Sequence, residues 1–185
     1  KALYNMIIGM RGGGKTYGAK KWCVRDFLRN GNQFVWTRRF KTELEESLNG
    51  FFSVLSNDED LIKEFGEIKY EVKGGDFYIN DKMAGKAIAL TGAGKYKSGE
   101  FPNVDKIIFD EFLIESSGYY LKNEVTITFQ LIETIQRHRD NVRMILIANS
   151  VSYANPYFMF FKIKPFTQEF LHLKDRSVVV HQYTN

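Results

Sequence analysis

Gly9-Met10-Arg11-Gly12-Gly13-Gly14-Lys15-Thr16, residues 9–16, follows the short apolar run Tyr4-Asn5-Met6-Ile7-Ile8. Gly9, four residues, then Gly14, Lys15 and Thr16 match the spacing G-x-x-x-x-G-K-[ST] of a phosphate-binding loop. The run before it has the composition of a buried parallel strand, and residues 16–30 after it read as a helix. Glycines let the backbone turn its N–H groups inward onto phosphate oxygens, the lysine reaches the terminal phosphates, and the threonine hydroxyl ligates Mg²⁺. The helix N-terminus facing the phosphates adds its favourable dipole. A glycine-rich turn that merely carries Gly-Lys-Thr is the bland alternative, and the strand, loop, helix order argues against it. The expected nucleotide-binding set is therefore Gly9, Arg11, Gly12, Gly13, Gly14, Lys15, Thr16 and Tyr17. Arg11 is unusual inside such a loop, and a phosphate contact or plain solvation are both open to it.

Working outward, 185 residues with 44% hydrophobic and 26% charged side chains suit one domain with a real core. Cys23 is the only cysteine, which excludes an intrachain disulfide and a cysteine zinc site and fits a reducing compartment. Neither a signal peptide nor an apolar run long enough to span a bilayer is present. A net charge of +4 favours a polyanionic partner only mildly. The chain begins at Lys1 and ends on polar residues, and we read it as a single P-loop domain, 1–185, cut from something longer.

After the helix, Gly31-Asn32 is a break, and Gln33-Phe34-Val35-Trp36-Thr37 is β-rich, expected as a strand beside the first. Arg38, Arg39 and Lys41 follow at its carboxyl edge, where open α/β sheets bind ligands. They are either contacts to a polyanion or neighbour, or a solvated rim. Residues 42–65 carry helical periodicity, with Asn57 and Asp58 as caps. Residues 68–72, 76–80 and 87–90 read as a small antiparallel meander turning at Lys73-Gly74-Gly75, either an insertion or an extension of the sheet. Thr91 to Gly99, TGAGKYKSG, imitates a second phosphate loop, but it lacks the first glycine and no helix follows before Pro102. It reads as a mobile loop whose Lys95 and Lys97 either meet a polyanion or a neighbouring subunit's phosphates, or lie in solvent.

Lys106-Ile107-Ile108-Phe109-Asp110-Glu111 is the second anchor, a buried strand delivering two carboxylates to its C-terminal edge. In this reading Asp110 holds Mg²⁺ and Glu111 polarises the attacking water. Residues 124–140 are amphipathic, with Val125, Phe129, Ile132 and Ile135 on one face. The next apolar run, 144–148, ends on Asn149, placed to sense a γ-phosphate. Arg137, Arg139 and Arg143 are candidates for an arginine supplied in trans, or they cap the helix C-terminus. His138, His172 and His181 have no metal-ligand spacing. Residues 156–161 are intensely apolar, suited to core or to a subunit contact, and 177–180 reads as one more strand. The fold class that follows is a P-loop α/β protein of the additional-strand, catalytic-glutamate type, with a mostly parallel central sheet flanked by helices and a small antiparallel insertion.

Taken together, IIGMRGGGKT, QFVWTRRFK, FYINDKMAGKAIAL, FPNVDKIIFDEF, and the stretch from RHRDNVRMILIANS to NPYFMFF resemble the DNA-packaging ATPases of phi29-like tailed phages. The resemblance spans most of the chain in one order; the glycine-rich TGAG before Lys95 departs from the family pattern. It implies the N-terminal ATPase domain of a protein whose second domain is nuclease-like. It also implies a homopentameric ring on the prohead portal, assisted by a structural RNA, driving double-stranded DNA into the capsid in the host cytoplasm with ATP and Mg²⁺. By the same matching, Arg137 falls at the trans arginine finger, Lys97 at a second trans basic residue, and Lys41 at a DNA-channel residue. The isolated domain is expected as a monomer or a ring former, with no membrane partner. A nucleotide switch or assembly module without translocation is the competing class. A small-molecule kinase lacks an evident acceptor site and a lid with paired arginines.

Lys15→Ala is expected to abolish ATP turnover and weaken ATP binding, because it removes the ammonium that pairs with the β- and γ-phosphates. Unchanged turnover at saturating ATP in a phosphate-release assay would sink the P-loop assignment.

Overall fold

The computed structural model of the chain describes residues 2–96, 99, 101–115, 118–149, 152–173 and 177–183. The elements run β1 (Tyr4–Gly9), α1 (Lys15–Asn30), β2 (Gln33–Arg38), α2 (Lys41–Leu48), α3 (Glu59–Phe65), β3 (Tyr70–Lys73), β4 (Asp76–Ile79) and β5 (Lys82–Ala89). A 3-10 helix (Leu90–Tyr96) leads into β6 (Val104–Asp110), α4 (Glu124–Gln136), β7 (Arg143–Asn149), α5 (Pro156–Phe161), β8 (Phe170–Leu173) and β9 (Val178–Tyr183). All described strands join one sheet in the order β3-β4-β5-β2-β6-β7-β1-β9-β8. The stretch from β5 to β9 is parallel throughout, while β3 and β4 extend one edge antiparallel and β8 closes the other.

Buried parallel strands need cover on both faces, and the alternation along β7 supplies it. Met144, Leu146 and Ala148 point into the cluster shared with Val125, Leu131, Ile132 and Ile135 of α4 and Tyr157, Phe158 and Phe161 of α5. Ile145 and Ile147 point to the opposite face, into the cluster with Ala19, Cys23 and Val24 of α1, Trp36, Leu44 of α2 and Leu61 of α3. Helix α1 starts at Gly14 and stops at Gly31, both in the left-handed region at φ 74°, and the Gly31 N–H donates to the Phe27 carbonyl. Val24, Phe27 and Leu28 of this helix cover the sheet, whereas Tyr17 and Trp22 are exposed.

Four expectations are corrected. β2 does not neighbour β1: β6 and β7 lie between them, the additional strands inserted after the P-loop unit. The helical pattern of residues 42–65 is two helices, because the chain turns through Gly50 at φ 66°. Of the two readings of the meander, the sheet extension holds, since β5 pairs in parallel with β2, but its third strand starts at Lys82 rather than at residue 87. The segment from Thr91 is not a loose loop as far as Tyr96: it is the 3-10 helix, pinned by buried Leu90 and Ala93. Lys97 lies outside the described residues.

Asp58 caps α3, its carboxylate accepting from the Leu61 N–H at 3.0 Å and from the Tyr17 hydroxyl and Lys21. Burial pushes this carboxyl up, but the hydrogen bonds from Tyr17, Leu61 and Lys21 outweigh it and hold the pKa at about 2. Asp58→Ala should cost about 1 kcal/mol or more in urea unfolding, the scale of a lost helix cap. A depressed carboxyl stabilises above its unfolded pKa of about 3.9, so the gap between the two proteins should persist at neutral pH and shrink as pH falls toward about 2.

Candidate nucleotide site

Parallel pairing places the functional side chains. Gly9 is in register with Asn149 across β1 and β7, and Asp110 is in register with Ile147 across β6 and β7, so the P-loop, the acidic pair and Asn149 leave the sheet at one edge. There they line a cleft of about 230 Å³ with Arg11, Gly12, Gly13, Gly14, Lys15, Thr16, Tyr17 and Glu111. The expected nucleotide-binding residues thus meet in one place, Gly9 forming the strand end beneath it. Gly12 and Gly14 hold φ of 81° and 74°, backbone that side chains rarely adopt.

Lys15 Nζ donates to the Gly9 carbonyl at 3.0 Å, the Met10 carbonyl at 2.7 Å and Asn149 Oδ1 at 3.4 Å. Burial lowers its pKa, against the pull of Asp110. Thr16 Oγ1 donates to Asp110 Oδ1 at 3.0 Å. Asp110 is buried; Glu111 is half exposed and sits at φ 59°, left-handed for a residue with a side chain, which costs on the order of 1–3 kcal/mol. Partial burial raises the Glu111 pKa, Arg38 lowers it, and Asp110, Glu43 and Glu115 raise it further. Asn149 also donates through Nδ2 to Glu115, a carboxylate that sequence patterns did not flag.

The basic trio at the end of β2 separates. Arg38 Nη2 contacts Asp110 Oδ2 at 2.8 Å and Glu111 Oε1 at 3.2 Å, so it belongs to this chain's own acidic pair rather than to an outer partner. Arg39 is buried at 4% side-chain exposure and bound to Glu124 of α4 at 2.7 Å, which excludes it as a contact to DNA. Lys41 opens α2, 79% exposed, 3.4 Å from Glu45. Arg11 is exposed and lines both the cleft and an adjoining pocket of about 270 Å³ bounded by Phe40, Glu43, Glu115 and Tyr119. Lys95 is exposed on the 3-10 helix.

The other arginines lie at the opposite edge. Helix α4 starts beside Arg39 and runs 13 residues, about 20 Å, to Arg137, whose guanidinium donates to the Gly99 carbonyl at 2.8 Å. Arg139 donates to four backbone carbonyls, those of Phe101, Pro102, Val104 and Ile135, and so ties the end of α4 to the start of β6. Arg143 binds the Asp140 and Val142 carbonyls. Both tie down the chain around the end of α4, whereas Arg137 is the exposed arginine there.

Two features have no sequence signature. Tyr183 of β9 is in register with Gly9, and a Cβ on Gly9 would come within 2.6 Å of the Tyr183 carbonyl oxygen, while one on Gly13 would come within 3.0 Å of its ring. A groove of about 920 Å³ runs behind the P-loop along α1, among Ile7, Trp22, Ile145, Val179 and Tyr183. It is larger than the cleft, but Thr16, Asp110 and Glu111 line the cleft and not the groove.

No trio of His, Cys, Asp or Glu able to hold a metal by itself is present among the described residues, and no helix among them is long and apolar enough to cross a membrane. Thr16 and Asp110, 3.0 Å apart beside Lys15, are nevertheless the pair of hard oxygen donors that Mg²⁺ takes when phosphates complete its shell.

Residues 1–182 match the model of the Podovirus DNA encapsidation protein (Gp16) family. The DNA packaging protein of Bacillus phage phi29 is 38% identical over 178 residues, covering 96% of this chain and 52% of that protein. The chain thus spans about half the length of the curated relatives it matches. The crystal structure of the N-terminal domain of the phi29 DNA packaging ATPase superposes with a TM-score of 0.85 at 37% identity, over 98% of this chain and 90% of that one. The large terminase of a thermophilic bacteriophage in complex with ADP shares the fold alone, with a TM-score of 0.61 at 13% identity over 99% of this chain and 40% of that one.

The close approach of Tyr183 makes a paired test. Gly9→Ala should cost about 1–3 kcal/mol and weaken ATP binding, since a backbone carbonyl blocks the methyl. Gly18→Ala, in open helix surface, should instead raise Tm by about 2–4 °C with affinity unchanged. Equal behaviour of the two in calorimetry and nucleotide titration would contradict the packing described.

Proposed function

The chain belongs to the Podovirus DNA encapsidation protein (Gp16) family, and on that footing we propose that it is the ATP-hydrolysing motor domain that drives double-stranded DNA into a preformed capsid. The observation that carries this reading is the meeting of Lys15, Thr16, Asp110, Glu111 and Asn149 in one cleft at the carboxyl edge of three paired parallel strands.

In this mechanism the P-loop amides and Lys15 bind and orient the triphosphate. Thr16 and Asp110 hold Mg²⁺, which when bound neutralises charge on the phosphate oxygens. Glu111, its carboxylate lining the cleft with Lys15 and Asp110, takes the proton of the attacking water, helped by a pKa raised through partial burial. Asn149 contacts Lys15 and Glu115 and so registers whether the γ-phosphate is there. Arg38 holds Asp110 and Glu111 together across the cleft.

Charge developing on the γ-phosphate calls for one further cation, and the exposed place of Arg137 at the far end of α4 from the cleft supports its supply to a neighbour. We therefore place Arg137 in trans, in a ring of identical subunits, by the resemblance a pentamer on the prohead portal with its structural RNA. Exposed Lys41 and Lys95 are assigned to the DNA path or the neighbour's site.

The isolated domain should be a poor ATPase whose specific activity rises with protein concentration or on a scaffold that enforces assembly. Arg137→Ala should remove that rise, a loss on the order of 10³–10⁵ for an arginine finger, with ATP affinity nearly unchanged. Mixing Arg137→Ala with Glu111→Gln subunits, each inactive alone, should restore part of the activity. Full activity in dilute monomer, or no recovery in assembled mixtures, would rule out Arg137 acting in trans.

A further inference from the structure

Directly after Arg38, the neighbouring Arg39 turns to the other face of the sheet and is buried there. Its Nε and Nη2 donate to the two carboxylate oxygens of Glu124, at 2.7 and 2.9 Å. Nη2 also donates to the Phe112 carbonyl at 2.7 Å, and Nη1 to the Glu111 carbonyl at 3.4 Å. Glu124 is itself closed in: it accepts from the Tyr157 hydroxyl and the Leu121 N–H, both at 2.8 Å, and the Thr128 hydroxyl lies 3.0 Å from that of Tyr157. The same two carbonyls belong to the turn in which Glu111 holds its left-handed φ of 59°. The Phe112 N–H is anchored on the Ile147 carbonyl at 3.1 Å. A side chain in such backbone points where the backbone is clamped, and here the Arg39 guanidinium on the two carbonyls completes the clamp that the Phe112 N–H begins.

We propose that Arg39 is a positioning residue for hydrolysis: its bidentate pair with Glu124 fixes the turn that aims Glu111 and locks that turn to the first residue of α4. This rests on Glu111 being the general base. Because Arg137 stands at the other end of α4, the turn that aims one subunit's base and the arginine offered to the next subunit are joined through one helix. Lysine cannot replace this fork, having one point charge where two in-plane oxygens and two carbonyls must be met together.

The test compares Arg39→Lys and Glu124→Gln with the parent at the protein concentration that supports turnover. Misplacing a reacting group by ~1 Å can cost ~10² in rate, so kcat should fall by ~10–10²-fold while the affinity for a fluorescent ATP analogue stays within about twofold. The decisive measurement adds each substitution to Glu111→Gln: with no base left to aim, neither should lower the residual single-turnover rate further. A purely structural role predicts the opposite, a lower melting temperature with kcat per folded molecule unchanged, or losses that add in the Glu111→Gln background. Either result overturns the inference, as does failure of both variants to fold, which would assign the pair to stability alone. Full turnover by Glu111→Gln itself would remove the premise, and it is told apart because it needs no change at Arg39.

Discussion

Everything in the cleft depends on the hydrogen-bonded parallel register of β6, β7 and β1. Those three strands start at one edge and stop at the other, so whatever follows their last residues is delivered to a common rim. A shift of one residue in β6 against β7 would turn Asp110 from the rim into the α4 side of the core, because side chains alternate along a strand. Register in turn is held by the two apolar clusters, which demand opposite faces from neighbouring residues such as Ile107 and Ile108. Core packing along these strands and the geometry of the cleft at their ends are the same constraint.

How much of this could be read from the chain depended on whether the signal was local. The P-loop and the acidic strand end were legible because each is a contiguous pattern with a mechanism. The place of β2 in the sheet was not, since pairing between distant segments leaves no mark in either one. Helix α1 was legible to within a residue, bounded by Gly14 and Gly31. The helical run after Lys41 was not, because Gly50 breaks it while the periodicity continues.

The basic residues are the clearest case. Arg38 and Arg39 are chemically identical and adjacent, yet strand alternation sends one to the acidic pair and the other to Glu124. Composition could say only that a cationic cluster existed. Similarly Arg137 and Arg139 both follow α4, and only the positions of the Phe101, Pro102, Val104 and Ile135 carbonyls separate a chain anchor from an exposed guanidinium. Tyr183 beneath the P-loop was invisible because nothing in a tyrosine at a strand end announces which glycine it will face.

The placement of cleft and Arg137 at opposite edges of one subunit has a symmetry consequence. On the proposal that Arg137 serves a neighbour's cleft, a two-fold dimer, which joins like surface to like surface, cannot satisfy both edges; the association that would is head-to-tail. Head-to-tail contact repeats until it meets itself. The number of subunits then follows from the angle between the two edges rather than from the chemistry, and a small change in that angle converts a closed circle into an open spiral with one unfilled end.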